Sequence, residues 1–481
     1  MSTRSASDSH SVDSSGKVEK GNGVIEKLPP SEYYAASEGL TLEKEAVVSK
    51  EDMELERRAS LKLDLTLLPV MTMFYLLSFL DRANIGNARV AGLQTALGLS
   101  DTEYQICVTI LYVPYILAEL PSNLLLRRIG PNILMPTILT AWGLVVTFQG
   151  FVSSIAYFFS AASLSGAFSG LLAAAIQNMD GLGGKEGWSW IFILEGLFTV
   201  LVGVASFFLV PATPQHASIL SQAEKDALKR RLERDRPLIS THDAFKPKEV
   251  LRSFLSPHVI ILFVVFFLGG TLLYGLALFL PSIVRQLGFG RTESQLLSVG
   301  PFAVGFVVSV ISAWWSDRYN TRGVPLIAIS GLSIAGWALF LSADNKYVLY
   351  GALYLMVPGI YGVSPVTCAW VANNSEPYFR RASSIAIGFM ATNAGGILST
   401  WRFPTKEGPK FTNTAIMNLV FSCVMVVFTI LNMLYLHQQN QRKVRHRHEI
   451  LKPYATDEEP EGGVRAWVEL GDKHPDFKYT L

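Results

Sequence analysis

The chain has 481 residues, of which 50% are hydrophobic and only 17% are charged, and its mean hydropathy is +0.31. These values are too apolar for an ordinary soluble domain and favour a membrane protein. A net charge of +2 argues against a nucleic-acid partner, because such partners are bound by a strongly basic surface.

Cysteine usage gives no sign of a redox or metal centre. Cys107, Cys368 and Cys423 fall inside or beside apolar stretches, where a thiol packs as a small hydrophobic group. We therefore expect no cofactor, no bound metal and no enzymatic activity.

The first sixty residues are rich in Ser, Glu and Lys and contain no apolar run of signal-peptide length. A segment of this composition does not bury enough apolar surface to fold on its own. The sequence therefore predicts a disordered cytoplasmic tail over residues 1–60.

Apolar runs dominate the rest of the chain, and a spanning helix needs about 20 mostly apolar residues. The first half contains five such runs: Leu65 to Gly86, Ile106 to Leu126, Ile133 to Phe151, Ile155 to Ile176 and Trp190 to Pro211. The second half contains six: Val259 to Pro281, Leu296 to Trp315, Pro325 to Leu341, Tyr347 to Ala369, Ser383 to Trp401 and Ala415 to Leu436.

These runs predict an all-α polytopic membrane protein of about eleven spanning helices in two bundles. An N-terminal bundle covers residues 61–211 and a C-terminal bundle covers 258–437. A charged loop at 212–257 joins them, and a tail at 438–481 follows. Two bundles that rock about a midplane site are the layout of many secondary transporters.

Lys and Arg residues in short loops mark the cytoplasmic side of a membrane protein. In the second half every other loop is basic, and the basic groups are Lys229 to Arg234, Arg318 with Arg322, Arg380 with Arg381, and Arg442 to Arg447. Both ends of this half are therefore predicted to be cytoplasmic.

The first half does not pass the same test. Arg57 and Arg58 place the N-terminal side inside, and Arg127 and Arg128 place the loop after the second run inside as well. Only three runs follow before the basic central loop, although an even number is needed to return to the same side. We infer that about one helix and its loop are absent near residues 149–156. A half-inserted segment around 133–176 is the alternative.

The first apolar run contains two adjacent charges, Asp81 and Arg82. A charge at mid-bilayer costs about 2.5 to 3.5 kcal/mol, so this pair is expected to face an aqueous cavity. Arg82 is suited to bind a carboxylate, because its planar fork contacts both oxygens. Asp81 is suited to carry a proton, because burial disfavours its charged form. Asn84 is a further candidate for substrate contact, and a purely structural polar network is the alternative.

Proton transfer in this chain is expected to use carboxylates, since the apolar runs have no histidine at mid-span. Asp81, Glu119 and Glu195 are the candidates. Glu195 is predicted near the outer end of its helix, where a structural hydrogen bond is an equally good interpretation, so it ranks below Asp81.

Two similar loops occupy equivalent places in the two halves, Pro121 to Gly130 and Ser316 to Gly323. Their charges can exchange ion pairs as the bundles move. The predicted switch residues are Glu119, Arg127, Arg128, Asp317, Arg318 and Arg322. The alternative is that these charges only anchor the cytoplasmic side.

Polar residues within the second half are candidates for lining a cavity. Tyr274, Tyr361 and Asn393 are predicted to contact substrate from this half, with ordinary packing as the alternative. The stretch Pro358 to Gly362 predicts a soft point in its helix.

The chain resembles the anion:cation symporter family of the major facilitator superfamily, in particular its fungal allantoate permease branch. The segments that carry the resemblance are Phe79 to Leu93, Tyr112 to Gly130, Phe158 to Gly170, Gly187 to Gly196, Trp314 to Gly323 and Leu470 to Leu481. The resemblance implies the two-bundle major facilitator fold and uptake of allantoate, nicotinate or related carboxylates. It also implies that Asp81 and Arg82 are the proton and carboxylate positions.

One departure from the family pattern lies in the first half, at the place where the distribution of basic loops indicates that one spanning helix is missing. Family members have a fourth helix with a Glu-Ala-Gly core and a basic loop after it. Here Gln149 to Val152 leads almost directly into the fifth-helix pattern that begins at Phe158. A second family carboxylate is therefore missing.

From these observations we expect a monomer that takes up a small organic anion with a proton by alternating access. We expect it in the plasma membrane, surrounded by lipid, with both termini cytoplasmic. Efflux of a secondary metabolite or drug, and an inactive product that lacks one helix, are the alternatives.

Overall fold

The computed structural model of the chain describes residues 17–19, 25–27, 50–90, 92–151, 179, 181–211, 213–235, 247–403, 407–408, 410–455 and 463–481. Near the N terminus, strand β1 (Lys17–Glu19) pairs antiparallel with β2 (Ile25–Lys27), with Val18 opposite Glu26.

Helices form nearly all of the remaining described structure. The first half contains α1 (Lys50–Val90), α2 (Leu93–Ala96), α3 (Asp101–Ile129), α4 (Pro131–Phe151) and α5 (Gly187–Leu209). The central loop contains α6 (Gln222–Asp235) and α7 (Pro247–Phe254). The second half contains α8 (Pro257–Gln286), α9 (Arg291–Arg318), α10 (Gly323–Ser342), α11 (Lys346–Met356), α12 (Pro358–Tyr361), α13 (Val363–Asn373), α14 (Tyr378–Thr400), α15 (Thr412–Arg445), α16 (Arg447–Leu451) and α17 (Gly463–Leu470). Single 3₁₀ turns lie at Leu182–Gly184, Pro214–His216 and Gly471–Lys473.

The predicted spans agree with these helices wherever the structure describes them. Ten of the eleven apolar runs coincide with α1, α3, α4, α5, α8, α9, α10, α11 to α13, α14 and α15, and the fourth run, Ile155 to Ile176, lies outside the described residues. Eight helical segments of the described part are long and apolar enough to cross a membrane. Helix α14 is not among the eight, because it carries Arg380, Arg381 and several Ser, Thr and Asn residues and packs between α3 and α8.

Two local signals in the sequence account for well-defined helix boundaries. Helix α3 begins with a capping box, in which Ser100 Oγ accepts from the backbone N–H of Glu103 and the Glu103 carboxylate accepts from the N–H of Ser100. The run predicted to be soft is interrupted at Val357 and Gly362, and Gly359 lies against the backbone of Ser333 on α10. The interrupted stretch of helix therefore coincides with the close helix contact.

The prediction of a disordered tail over residues 1–60 is corrected at its end, because α1 begins at Lys50. This early part of α1 is too polar to be recognised from hydropathy, and it is stabilised by contact with α6. Lys62 pairs with Glu224 at 2.7 Å. A small apolar cluster accompanies the ion pair, and its buried members are Ala59, Leu63, Ala217, Leu220 and Leu228.

The N-terminal bundle is held by a close contact between α4 and α5. A Cβ atom on Gly196 would lie 2.3 Å from the backbone nitrogen of Thr147, and one on Gly143 would lie 2.6 Å from that of Val200. Only glycine permits helix backbones to approach this closely. The contact fixes the position of α5, which carries Glu195.

Candidate functional site

The two bundles meet at the end of the helices opposite the central loop. Helix α1 crosses α8 so closely that a Cβ atom on Gly86 would lie 2.3 Å from the carbonyl oxygen of Leu278. Farther along the same helices, Arg285 Nη1 donates to the carbonyl of Val90 at 3.2 Å. Between α3 and α14, Trp401 Nε1 donates to Thr109 Oγ1 at 2.9 Å. These contacts close this end of the interface.

A small polar network holds the N-terminal side of the closed end. Arg89 pairs with Asp101 at 2.8 Å, and Gln94 bonds to both residues. The Arg89 guanidinium also lies over the ring of Tyr104, 4.3 Å from its centroid, and the Tyr104 hydroxyl donates to the carbonyl of Ile85. The turn after α1 is therefore bound to the start of α3.

A buried tyrosine–asparagine pair lies on the inner side of this closure. The Tyr274 hydroxyl on α8 donates to Asn393 Oδ1 on α14 at 3.0 Å, and both side chains are about 95% buried. Tyr112 on α3 contacts the Tyr274 ring edge-on, with 5.1 Å between centroids. Gly396 lies beside both rings, and a Cβ atom there would come within 3 Å of each. The pair therefore stands where a helix of the first bundle meets two of the second.

The charged segment of α1 lies next to this level of the interface. Asp81, Arg82 and Asn84 belong to the helical turn before Gly86, and their side chains lie outside the described part of the structure. The following residues of α1, from Ile85 to Ala88, are all buried. The segment is thus positioned by its backbone at the bundle interface, and the substrate and proton roles of its side chains stay predictions.

Tyr361 and Glu195 lie outside the Tyr274–Asn393 hydrogen bond. Tyr361 packs edge-on against Phe302 of α9, with 5.5 Å between ring centroids, and its hydroxyl lies near enough to Tyr274 to interact with it electrostatically. Glu195 is 1% exposed in α5, a helix that packs against α4 and α1. The structure thus places Tyr361 near the hydrogen-bonded pair of Tyr274 and Asn393.

The predicted switch loop of the second half contains an ion pair. Asp317 pairs with Arg322, and Arg322 Nη1 also donates to Ser316 Oγ at 2.8 Å. Arg322 is buried, whereas Asp317 and Arg318 are exposed. The switch function of these residues stays a prediction.

The equivalent loop of the first half is described in part. Asn123 Nδ2 donates to Glu119 Oε1 at 3.2 Å, within the same helix. The side chains of Arg127 and Arg128 lie outside the described part of the structure. The predicted interaction of Glu119 with Arg127 stays a prediction as well.

Sequence reasoning assigned no role to several residues that make interhelical contacts. Tyr112 lies in an apolar run and was given no separate role, and Arg380 was interpreted only as a marker of the cytoplasmic side. Arg380 is in fact 4% exposed and pairs with Glu249 of the central loop at 2.6 Å. Its burial has no local signature, because the partner lies 131 positions away.

Two bundles of spanning helices, closed at one end around buried polar groups, define a polytopic membrane protein of the transporter class. The Major Facilitator Superfamily model matches residues 71–179 and 181–400, and the chain belongs to that superfamily. An uncharacterized transporter of Schizosaccharomyces pombe is 32% identical over 424 residues, covering 79% of this chain and 84% of the relative. The high-affinity nicotinic acid transporter of Saccharomyces cerevisiae is 27% identical over 474 residues, covering 88% of this chain and 85% of the relative.

Solved structures show the same fold at low sequence identity. A bacterial homolog of the human lysosomal transporter Spinster aligns with a TM-score of 0.56 and 14% identity, over 76% of this chain and 96% of that one. A D-xylose-proton symporter aligns with a TM-score of 0.54 and 13% identity, over 76% and 97%. The predicted two-bundle helical fold is confirmed.

The alignment with the S. pombe transporter contains positions that this chain lacks. Only 79% of the 481 residues, roughly 380, take part in the 424 positions aligned with the S. pombe transporter, so about forty of its positions have no counterpart here. That number suffices for one spanning helix of about 20 residues and a loop. Where these positions fall along the chain is not specified by the alignment length, so the first bundle short by one helix stays a prediction.

Proposed function

We propose that this protein takes up a small organic carboxylate together with a proton, by alternating access. The observation that carries the proposal is the buried Tyr274–Asn393 pair at the bundle interface, beside the turn of α1 that carries Asp81 and Arg82. Polar and ionisable groups inside a membrane-spanning bundle are energetically costly, and they commonly mark the path of a substrate or ion. A relative that is a nicotinic acid transporter supports a carboxylate as the substrate class.

In this mechanism each group has a separate task. Arg82 binds the carboxylate through two parallel N–H···O bonds. Tyr274 and Asn393 offer hydroxyl and amide groups to the rest of the substrate from the opposite bundle. Asp81 carries the proton, and Glu195 is the secondary candidate for this role. Opening and closing of the end described above exposes the site to one side of the membrane at a time.

The orientation follows from the charged loops. Basic residues on the central-loop side place that side in the cytoplasm by the positive-inside rule. Both termini are then cytoplasmic, and the closed end faces outward. Uptake across the plasma membrane is consistent with this arrangement.

We expect uptake to be driven by the pH gradient alone. One proton with one monoanion moves no net charge, so each pH unit supplies about 1.4 kcal/mol, or about tenfold accumulation. The test uses purified protein in liposomes with radiolabelled nicotinate and an acidic exterior. Accumulation is expected to rise about tenfold per pH unit and to vanish with a protonophore. As a control, a potassium–valinomycin potential at equal pH should drive no uptake, and accumulation unaffected by protonophore would contradict the proposal.

A second candidate, an inactive product that lacks one helix, is favoured by the forty unmatched positions. The decisive measurement is sequencing of the transcript across the codons for Thr147 to Ser160. A longer message that encodes an extra helix with a carboxylate and a basic loop would assign transport to that longer form. If the short message is the only one, the liposome assay on this chain decides between transport and inactivity.

A further inference from the structure

The segment Gly471–Leu481, which we term the strap, crosses the central-loop side of the C-terminal bundle. It follows α17 and is bound by helices that are far from it in sequence. Its partners belong to α13, α14 and α15 and to the residues that precede α10.

Two asparagines bind the main chain of the strap in the same way. Asn374, at the end of α13, donates to the carbonyl of Thr480 at 2.9 Å and accepts from its N–H at 2.8 Å. Asn440, on α15, makes the same pair of bonds with Tyr479, both at 2.9 Å. A side-chain amide that satisfies both polar groups of one residue takes the place of a neighbouring β-strand.

Further donors complete the main-chain contacts. Trp370 Nε1 donates to the carbonyl of Thr480 at 2.9 Å. Lys443 Nζ donates to the carbonyls of Asp472 and Phe477 at 2.5 and 2.6 Å. The backbone N–H of Arg322 donates to the carbonyl of Leu481 at 2.5 Å. The bundle therefore binds the strap largely through its backbone.

A buried charge cluster lies at the start of the strap. Arg380 pairs with Asp472 on one side and with Glu249 of α7 on the other, and all three residues are buried. Lys443 is buried beside them, with its ammonium group 3.6 Å from the Tyr479 ring centroid. The cluster joins the central loop, α14, α15 and the strap.

The strap begins at a turn in which position 471 requires glycine. Gly471 has φ +57°, and a Cβ atom there would lie 2.8 Å from the carbonyl oxygen of Glu376. Glycine alone adopts this conformation at low cost and leaves room for the neighbouring backbone. The turn sets the direction in which the strap enters its groove.

We propose that the surface formed by Trp370, Asn374, Asn440 and Lys443 is a peptide-binding groove whose occupant is the chain's own strap. The bound strap joins the ends of α10, α13, α14 and α15, so the C-terminal bundle moves as one rigid body. This assignment does not depend on which substrate the protein carries.

The two kinds of contact contribute unequally to binding. Burial raises the pKa of Asp472 to about 6, against the opposing effect of Arg380 and Lys443, so the ion pair only partly offsets the cost of burying the carboxylate. The asparagine bonds carry no such penalty, because the peptide groups of Tyr479 and Thr480 are matched by neutral side-chain amides. The asparagines are therefore expected to matter more than the carboxylate.

The test uses protein truncated after Leu470 and a fluorescent peptide with the sequence of Gly471–Leu481. We expect the peptide to bind the truncated protein in trans and to raise its thermal unfolding midpoint toward that of the full chain. Asn374→Ala with Asn440→Ala in the truncated protein should weaken binding more than tenfold. Asp472→Asn in the peptide should change it less than fivefold, and Lys478→Ala, at an exposed position, should leave it unchanged.

If the truncated protein does not fold, a protease site inserted within 456–462 of the full chain lets α17 and the strap be cut from the bundle together after folding. Excess unlabelled peptide should then displace the cut strap, which is measured by gel filtration in detergent. A strap that leaves without changing the unfolding midpoint, or a groove that binds a scrambled peptide equally well, would overturn the proposal.

Discussion

Replacing Arg82 by alanine is expected to abolish accumulation of a carboxylate substrate while leaving the amount of folded protein in the membrane unchanged. Loss of one partner from a desolvated charge pair costs about 2–5 kcal/mol, which is at least thirtyfold in affinity. The side chain belongs to the turn of α1 beside the buried interface. The measurement is initial uptake of radiolabelled nicotinate in liposomes, with folded protein quantified by gel filtration.

Graded controls separate a carboxylate ligand from a general need for positive charge. Arg82→Lys keeps the charge but loses the fork, so it should retain only a minor part of the activity. Tyr274→Phe keeps the ring against Tyr112 and removes one neutral hydrogen bond of about 0.5–1.5 kcal/mol, so the KM should rise about two- to tenfold. Normal accumulation by Arg82→Ala would remove this residue from the substrate site.

The spanning helices that the structure describes could be predicted from the sequence, because an apolar run of about 20 residues is the length that a helix needs to cross a bilayer. Helix α14 was predicted from the run Ser383 to Trp401 although it is more polar than its neighbours, and the structure packs it against α3 and α8. The first fifteen residues of α1, Lys50 to Asp64, precede the apolar run and contact α6, which hydropathy does not report.

The candidate site was predictable by residue type but not by pairing. Tyr274 and Asn393 were both recognised as polar residues in apolar runs, yet nothing in the sequence joins two positions 119 apart. Tyr361, recognised on the same grounds, packs against Phe302. Which polar residues share a cavity depends on helix rotation, and helix rotation is decided by close contacts such as Gly395 against the backbone of Phe267.

The strap shows the same limit for charged residues. Arg380 and Arg381 are adjacent and look equivalent in sequence. Arg381 pairs with Glu376 five positions away, whereas Arg380 joins Glu249 and Asp472 from two other parts of the chain. A basic loop predicts the side of the membrane by the positive-inside rule, but it does not indicate whether each charge is an anchor in water or part of a buried cluster.

Substitution of Gly86 by alanine is expected to keep the end of the interface opposite the central loop from closing. The new Cβ atom would lie 2.3 Å from the carbonyl oxygen of Leu278, and a backbone atom cannot yield without displacement of α8 itself. Because the protein must open and close once for each substrate that it transports, impaired closure slows transport. Substrate can still enter from the end that fails to close. We expect at least a tenfold fall in uptake rate with substrate binding largely preserved.

The distance between spin labels at Thr95 and Thr292, exposed positions on opposite bundles at this end, measures the predicted opening directly. In a background without the native cysteines, Gly86→Ala should shift the distribution to longer distances. Gly351→Ala is the matched control, since a Cβ atom there meets nothing within 4 Å and alanine favours the helix. If Gly86→Ala gives the same distances as the control and normal uptake, the added Cβ atom is accommodated without displacing α8, and the α1–α8 contact is not what closes this end.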